Sequence, residues 1–363
     1  MIRIGFDRQI FAIQKYGGIG RYFADLYLGL LEEHCIEPRL MFRHHQNAYL
    51  LQQGIGGRLG RVQARYYQKI MIKCKLQLPV SSAVDIQHST HYLGRPQKGK
   101  TGARLVSTLH DMTPELLPQY FNKNPHSNKL GWFLASDLII SVSETSSRNL
   151  SFFLPELANK IQRVHLCSSF GSQSKQSKPE SIKDMRDPFF LFVGQRGGHK
   201  NASLLLRAFA SSEPKRHGHK LLFAGGGALR REEQKEIAEL KLSGSVTQVR
   251  VSDAELWYLY RNASAVLIPS LAEGFSLPLV EGLAADVPVI CSDIPVHREV
   301  AQNYAQLINP LQHDDWADVL RLSGRISKPS QTLGLQLYNE CLNYFSRERM
   351  VEEHVKAYTS LVA

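Results

Sequence analysis

Two glutamates eight residues apart, Glu273 and Glu281, flank the stretch Gly274-Phe275-Ser276-Leu277-Pro278. The apolar run 263–268 ahead of them has the length and composition of a short buried strand, and Pro269 and Ser270 end it. Ser276 suits a helix N-cap and Pro278 the first turn, so Glu281 falls inside the helix that follows. One carboxylate then lies in a loop at the C-terminal end of a strand, the other on the first turns of the next helix. The backbone N–H groups of Phe275, Ser276 and Leu277 lie between them. Amides at a helix N-terminus bind anions such as diphosphates, and carboxylates accept hydrogen bonds from sugar hydroxyls. The pattern suits a cradle for a nucleotide-sugar. The plainer reading is an ordinary loop acid and an ordinary helix acid.

Other groups point to the same chemistry. Residues 194–201 read Gly-Gln-Arg-Gly-Gly-His-Lys-Asn, after an apolar strand at 188–193 and before a helical pattern at 202–209. Arg196 and Lys200 are cations on a glycine-rich loop that enters a helix, which suits a diphosphate; a basic turn is the alternative. Near the N-terminus, residues 16–22 (Tyr-Gly-Gly-Ile-Gly-Arg-Tyr) join a first strand to a helix. Glycine lets backbone approach a phosphate there. The spacing lacks the further glycine of a dinucleotide fingerprint, which argues against a nicotinamide cofactor. His110 and Asp111 follow a strand at 104–109, at the end of the sheet where α/β ligands bind. A satisfied strand-end turn would look the same. Gly225, Gly226 and Gly227 signal a turn and little more.

These groups need a scaffold, and both halves of the chain alternate strands with helices. The expected architecture is α/β: two doubly wound parallel-sheet domains facing a cleft. Their expected limits are 1–170 and 188–340, with a Ser/Lys-rich linker at 171–187 and a terminal helical segment at 341–363. A helix is expected over 251–261, with Asp253 near its cap and an apolar face of Leu256, Leu259 and Tyr260. The terminal stretch 338–362 is also expected to be helical.

At 363 residues, 43% hydrophobic and 21% charged, the chain has material for two cores rather than for a disordered segment. No run of 18 apolar residues is present, and the N-terminus reads as a first strand rather than a signal peptide. Five scattered cysteines without a Cys-x-x-Cys pair fit a reducing cytoplasm, with no disulfide framework and no metal centre. The net charge of +11 is one-sided: residues 1–187 hold 25 Lys and Arg against 14 Asp and Glu, whereas the rest is balanced at 19 each. An anionic partner for the first half is implied. A helix expected over 58–78 puts Arg58, Arg61, Arg65, Lys69 and Lys73 on one stripe, flanked by Leu59, Val62, Tyr66 and Ile70. Such a helix suits an anionic membrane surface, although a solvated helix face has the same pattern. A nucleic-acid partner is not expected, since the basic stretch holds no recognisable binding module.

The Glu-x7-Glu spacing around Gly-Phe-Ser-Leu-Pro resembles the signature of the retaining glycosyltransferases of family 4, which have the GT-B fold. The resemblance is strong over 188–310 and fair over 1–30 and 105–150. It includes the turn at 16–22, the pair His110-Asp111, the segment 135–150 and the loop 194–201. It implies an N-terminal acceptor-binding domain, a C-terminal nucleotide-sugar domain, and a last helix that crosses back to the first. It also implies residue roles: His110 facing the donor sugar, Gly18, Arg196 and Lys200 at the diphosphate, Glu273 on sugar hydroxyls, and Glu281 on the ribose. Many members carry arginine where Gln195 stands, so Lys200 is the firmer of the two cations to carry over. No Asp-x-Asp occurs to hold a metal on the diphosphate, and metal-independent transfer is implied. The set of motifs resembles bacterial mannosyltransferases of polysaccharide assembly. GDP-mannose is then the first donor to expect and a UDP-hexose the second, with a glycan or lipid-linked oligosaccharide acceptor. The implied setting is the cytoplasm, peripheral to the inner face of the plasma membrane. A nucleotide-sugar epimerase on the same fold is the rival enzyme, and a nucleic-acid-binding protein the rival outside enzymology.

Overall fold

The structure, a computed structural model, describes residues 1–60, 62–64, 66, 70, 77–79, 83–97, 102–171, 174–212, 218–322, 330–331 and 335–363. The chain forms two compact units, 1–169 together with 345–363, and 170–344.

In the first unit a six-stranded parallel sheet is built from β1 (Ile2–Phe6), β2 (Ile36–Leu40), β6 (Ile86–Ser89), β8 (Arg104–Leu109), β9 (Leu138–Ser141) and β10 (Ile161–Arg163). Their order is β10-β9-β8-β6-β1-β2. Two short parallel pairs lie outside the sheet: β3 (His44–His45) with β4 (Gly57–Arg58), and β5 (Gln77–Pro79) with β7 (Arg95–Gln97). Within it β6, β8 and β9 are buried along nearly their whole length. Leu105, Leu109, Ile139, Trp132 and Phe133 form one buried cluster on it.

The basic helix expected over 58–78 is corrected at both ends. Arg58 lies in β4 and Gln77 begins β5; residues 62–64 between them are helical. Val62 and Tyr66 are exposed, whereas Ala64 is buried. Arg61, Arg65, Lys69 and Lys73 lie outside the described residues.

The second unit repeats the theme with β11 (Phe189–Val193), β12 (Lys220–Ala224), β13 (Val246–Val249), β14 (Ala265–Ile268), β15 (Val289–Ser292) and β16 (Gln306–Ile308). All are parallel, in the order β13-β12-β11-β14-β15-β16. The run Phe-Phe-Leu-Phe in β11 is buried on both faces. Leu205 and Phe209 of the Ala202–Ser211 helix pack in the same core as Trp316 of the His313–Leu322 helix. Phe170 stacks on Trp257 with ring centroids 5.1 Å apart, and Ile182 is buried, so both sides of the Ser/Lys-rich stretch are held to this unit.

Two helices differ from the sequence expectation. The Asp253–Asn262 helix is capped by Ser252, whose hydroxyl and Glu255 form a reciprocal box, and Trp257 rather than Leu256 joins Leu259 and Tyr260 in its buried face. The terminal segment is two helices, Leu335–Tyr344 and Arg347–Val362. Ser346 starts the second by accepting from Arg349 N at 3.2 Å, and the division between the two units falls at this break.

Candidate active site

The chain runs from β11 to β12 on one side of the second sheet and later returns to add β14 on the other. The loops that leave β11 and β14 therefore diverge at the middle of the sheet, and ligands of open α/β sheets bind at such a switch point. Lys200 comes from the loop after β11 and Glu273 from the loop after β14. Their side chains meet there, Lys200 Nζ donating to Glu273 Oε1 at 2.6 Å. The Ser270 hydroxyl donates to the same oxygen at 2.7 Å. Leu271 N donates to His199 O at 2.7 Å and ties the two loops a second time. Burial, the largest influence on Glu273, pushes its carboxyl up. The Lys200 charge and bond, the Ser270 hydroxyl and the nearby His297 outweigh it, so the net direction is down and the carboxylate is held ionised.

Beyond Glu273 the backbone turns through Gly274 and Phe275 into the Leu277–Ala284 helix. Ser276 occupies the N-cap position as expected, but its hydroxyl makes no cap bond, and its φ of 83° is left-handed. A residue with a Cβ adopts that conformation at a cost, and such strain concentrates at functional sites. Glu281 is buried on this helix and accepts from Tyr260 Oη at 2.6 Å. The two glutamates thus have separate partners, a cation for Glu273 and a phenol for Glu281.

Arg196 departs from its expected place among the phosphate contacts. It is 5% exposed, and its guanidinium faces inward. It donates to the carbonyl oxygens of Gly225 (2.9 Å), Gly226 (3.3 Å), Gly227 (3.1 Å) and Ala228 (3.0 Å), and it pairs with Glu233 at 3.2 Å. The three glycines have φ values of 82°, 67° and 75°, which turns successive carbonyls toward one guanidinium. The glycine run that carried little signal in the sequence is the cradle of Arg196, and this arginine positions the loop after β12.

His297 is the group that the sequence did not single out. It lies on the Pro295–Ala301 helix, fully buried, with Nδ1 2.8 Å from Ser292 O at the end of β15. No spacing rule flags a lone histidine on a short helix; only the fold brings it within electrostatic reach of Glu273 and Lys200.

In the first unit Gly18 opens the Gly18–Leu30 helix, exposed at its N-terminus. His110 follows β8, half-buried beside Tyr22, Phe23 and Tyr92, with ring centroids 5.8 to 6.3 Å away. Burial lowers its pKa to about 3, with smaller contributions from His126 and Lys129, so the imidazole is neutral at physiological pH. Asp111, its neighbour in sequence, accepts from Thr113 N at 2.8 Å and so starts the next turn. Lys129 is fully buried and holds this loop through Asp111 O (2.9 Å) and Glu115 (2.7 Å). At the ends of β1 and β6, Asp7 accepts from Thr90, Ser89 and Gln9, a closed internal network.

Residues 173–323 match the family model described as glycosyl transferases group 1. The chain is 33% identical over 219 residues to the O-antigen chain mannosyltransferase RfbU of Salmonella typhimurium, covering 59% of each chain. It is 25% identical over 252 residues to O-antigen chain mannosyltransferase B of Escherichia coli, covering 61% of this chain and 65% of that one. The chain thus matches under two thirds of the length of either relative. Among solved structures, Anabaena HepE in complex with UDP and glucose superposes with a TM-score of 0.71 at 16% identity, over 99% of this chain and 100% of that one. The lipopolysaccharide outer core galactosyltransferase WaaB superposes with a TM-score of 0.61 at 15% identity, over 99% of both. Two Rossmann-like parallel sheets and these superpositions make this a GT-B fold, and its residues 173–323 match the glycosyl transferases group 1 model.

Proposed function

We propose that the protein is a retaining, metal-independent glycosyltransferase. It moves a hexose, mannose first, from a nucleotide-sugar to a glycan or lipid-linked oligosaccharide in cell-surface polysaccharide synthesis. The observation that carries this reading is the Lys200–Glu273 pair at the switch point of the second sheet. The group 1 match over the same residues supports it, as do the O-antigen mannosyltransferases among the relatives. GDP-mannose is the first donor and a UDP-hexose the second.

In this reading Lys200 neutralises the departing diphosphate, and the amide end of the Leu277–Ala284 helix adds partial positive charge from Phe275, Ser276 and Leu277. Glu273 holds sugar hydroxyls, while Tyr260 orients Glu281 toward the ribose. Arg196 acts indirectly, by fixing the loop after β12. In the first unit, Gly18 offers backbone to a phosphate and the neutral His110 bonds a sugar hydroxyl. The bond from the anomeric carbon to the phosphate oxygen breaks, and one to the acceptor oxygen forms on the same face. The acceptor proton goes to the departing phosphate oxygen. The positive excess of residues 1–187 fits docking on anionic lipid at the inner face of the plasma membrane, where a lipid-linked acceptor resides.

Incubation with GDP-mannose, and separately with UDP-hexoses, tests the reading. Free nucleotide should appear together with a glycosylated acceptor. Appearance of an epimeric nucleotide-sugar without any acceptor would select the epimerase instead. Binding to anionic vesicles should fade with salt, and equal pelleting with neutral vesicles would remove the membrane from the account.

A further inference from the structure

Ser276 Oγ, Ser292 Oγ and His297 Nε2 have no hydrogen-bond partner among the described residues, although all three atoms are buried. Their residues are 5%, 0% and 0% exposed. Buried polar groups in native proteins are nearly always paired, so an unpartnered Nε2 within electrostatic reach of Glu273 and Lys200 asks for an explanation. Ser276 belongs to the loop after β14 and Ser292 ends β15. These strands are adjacent, with Ile268 in register with Cys291. His297 sits one turn beyond Ser292 and holds its carbonyl.

That one bond fixes the chemistry of the ring. A carbonyl oxygen only accepts, so Nδ1 carries the hydrogen. In the neutral imidazole Nε2 is then a lone pair, an acceptor in search of a donor. Burial keeps the ring neutral, although Glu273 and the Ser292 carbonyl draw its pKa the other way. Glu273 is itself an acceptor and Lys200 already donates to it. A diphosphate brings only acceptor oxygens and cannot satisfy Nε2. A hydroxyl can. We propose that His297 Nε2 accepts a hydrogen bond from a hydroxyl of the donor's hexose, and that this contact helps decide which hexose is transferred. The proposal rests on the donor-site reading above and adds a residue that reads the sugar rather than the nucleotide.

Two substitutions separate this role from simple support of the fold. Asparagine places an N–H where Nδ1–H stands and keeps the bond to Ser292, but it has nothing at Nε2. Glutamine places a carbonyl near Nε2 and gives up the Ser292 bond. His297→Asn should melt close to the wild type and bind free GDP or UDP within about 2-fold of it, while kcat/KM with the nucleotide-hexose falls about 10-fold, the worth of one hydrogen bond. Its preference between epimeric donors, GDP-mannose against GDP-glucose or UDP-glucose against UDP-galactose, should narrow. His297→Gln should melt lower yet keep more of that preference. Unchanged kcat/KM and preference in His297→Asn would overturn the proposal. So would a loss of free-nucleotide binding equal to the loss with the hexose donor. Should His297→Asn fail to fold, His297→Leu takes its place: a narrowed preference supports the role, and a preference kept overturns it. A wild-type protein that binds no nucleotide and turns over no nucleotide-hexose removes the donor-site reading and this proposal together. A wild type that transfers hexose while both variants match it removes this proposal alone.

Discussion

Lys200 Nζ lies 2.6 Å from Glu273 Oε1, and the two residues come from loops that leave adjacent strands on opposite sides of the switch point. The side chains are 23% and 10% exposed, so the pair is largely withdrawn from water. Withdrawn charges stabilise little as a pair and cost much when one is left alone. Lys200→Ala should lower unfolding free energy by about 3 kcal/mol, near the low end for a broken buried pair. Lys200→Met with Glu273→Leu should recover most of the stability and none of the activity. Denaturant melts of the two variants check this; equal stability of all three proteins would mean that the pair is too solvated to matter.

The loop after β12 gives a second prediction. A Cβ at Gly226 would stand 2.6 Å from both Arg196 Nη1 and Gly194 O, at a φ of 67°. Gly226→Ala should therefore cost at least about 1–3 kcal/mol. Arg196→Lys, which cannot reach the same four carbonyls, should also lower the melting temperature while leaving nucleotide affinity within about 3-fold. A large loss of affinity at unchanged melting temperature would return Arg196 to the phosphates.

A buried polar network in the first unit sets a pH limit. Tyr22 Oη lies 2.7 Å from His354 Nε2, and His88 bridges Tyr358 Oη and Thr108 Oγ1 at 2.7 Å each. Burial lowers the pKa of His354 from 6.5 to about 4 and that of His88 well below its ordinary value. Both rings take up a proton on unfolding more readily than in the folded chain. The His354 contribution is full above pH 6.5 and is lost as pH falls toward about 4, and that of His88 is lost in the same direction. For His354 alone the loss amounts to about 3 kcal/mol. His354→Gln should flatten the fall of melting temperature between these pH values, and an unchanged slope would exclude the ring as its source.

Glu281→Gln should weaken nucleotide binding by about 1.5–3 kcal/mol, the worth of a charge-assisted hydrogen bond to ribose. Glu273→Gln should reduce turnover more than free-nucleotide affinity, because it serves the sugar. Calorimetry with free nucleotide distinguishes them, and wild-type affinity in Glu281→Gln would refute its assignment.

The sequence reveals the parallel strands well, because apolar runs such as 189–192 announce themselves without any partner in view. The loop residues Lys200 and Glu273 are visible as types and spacings, but their direct pairing is a product of strand order and needs the fold. Arg196 misled because a guanidinium on a glycine-rich loop looks the same whether it faces a phosphate or four carbonyls. The segment 58–78 misled because a period of three to four residues in cations does not depend on helix formation; Arg58 pairs as a strand with His45 instead. His297 left no mark, since its meaning lies in an unpaired nitrogen that only three-dimensional packing creates.

The central claim is that Lys200 neutralises the diphosphate leaving a nucleotide-sugar without help from a metal ion. Nucleotide release from GDP-mannose or a UDP-hexose, measured with acceptor in excess chelator, tests it most directly. The account predicts that release in chelator equals release with added magnesium or manganese, and that Lys200→Ala reduces it by roughly 10²- to 10³-fold. Loss of most turnover on chelation, or full turnover in Lys200→Ala, would contradict it.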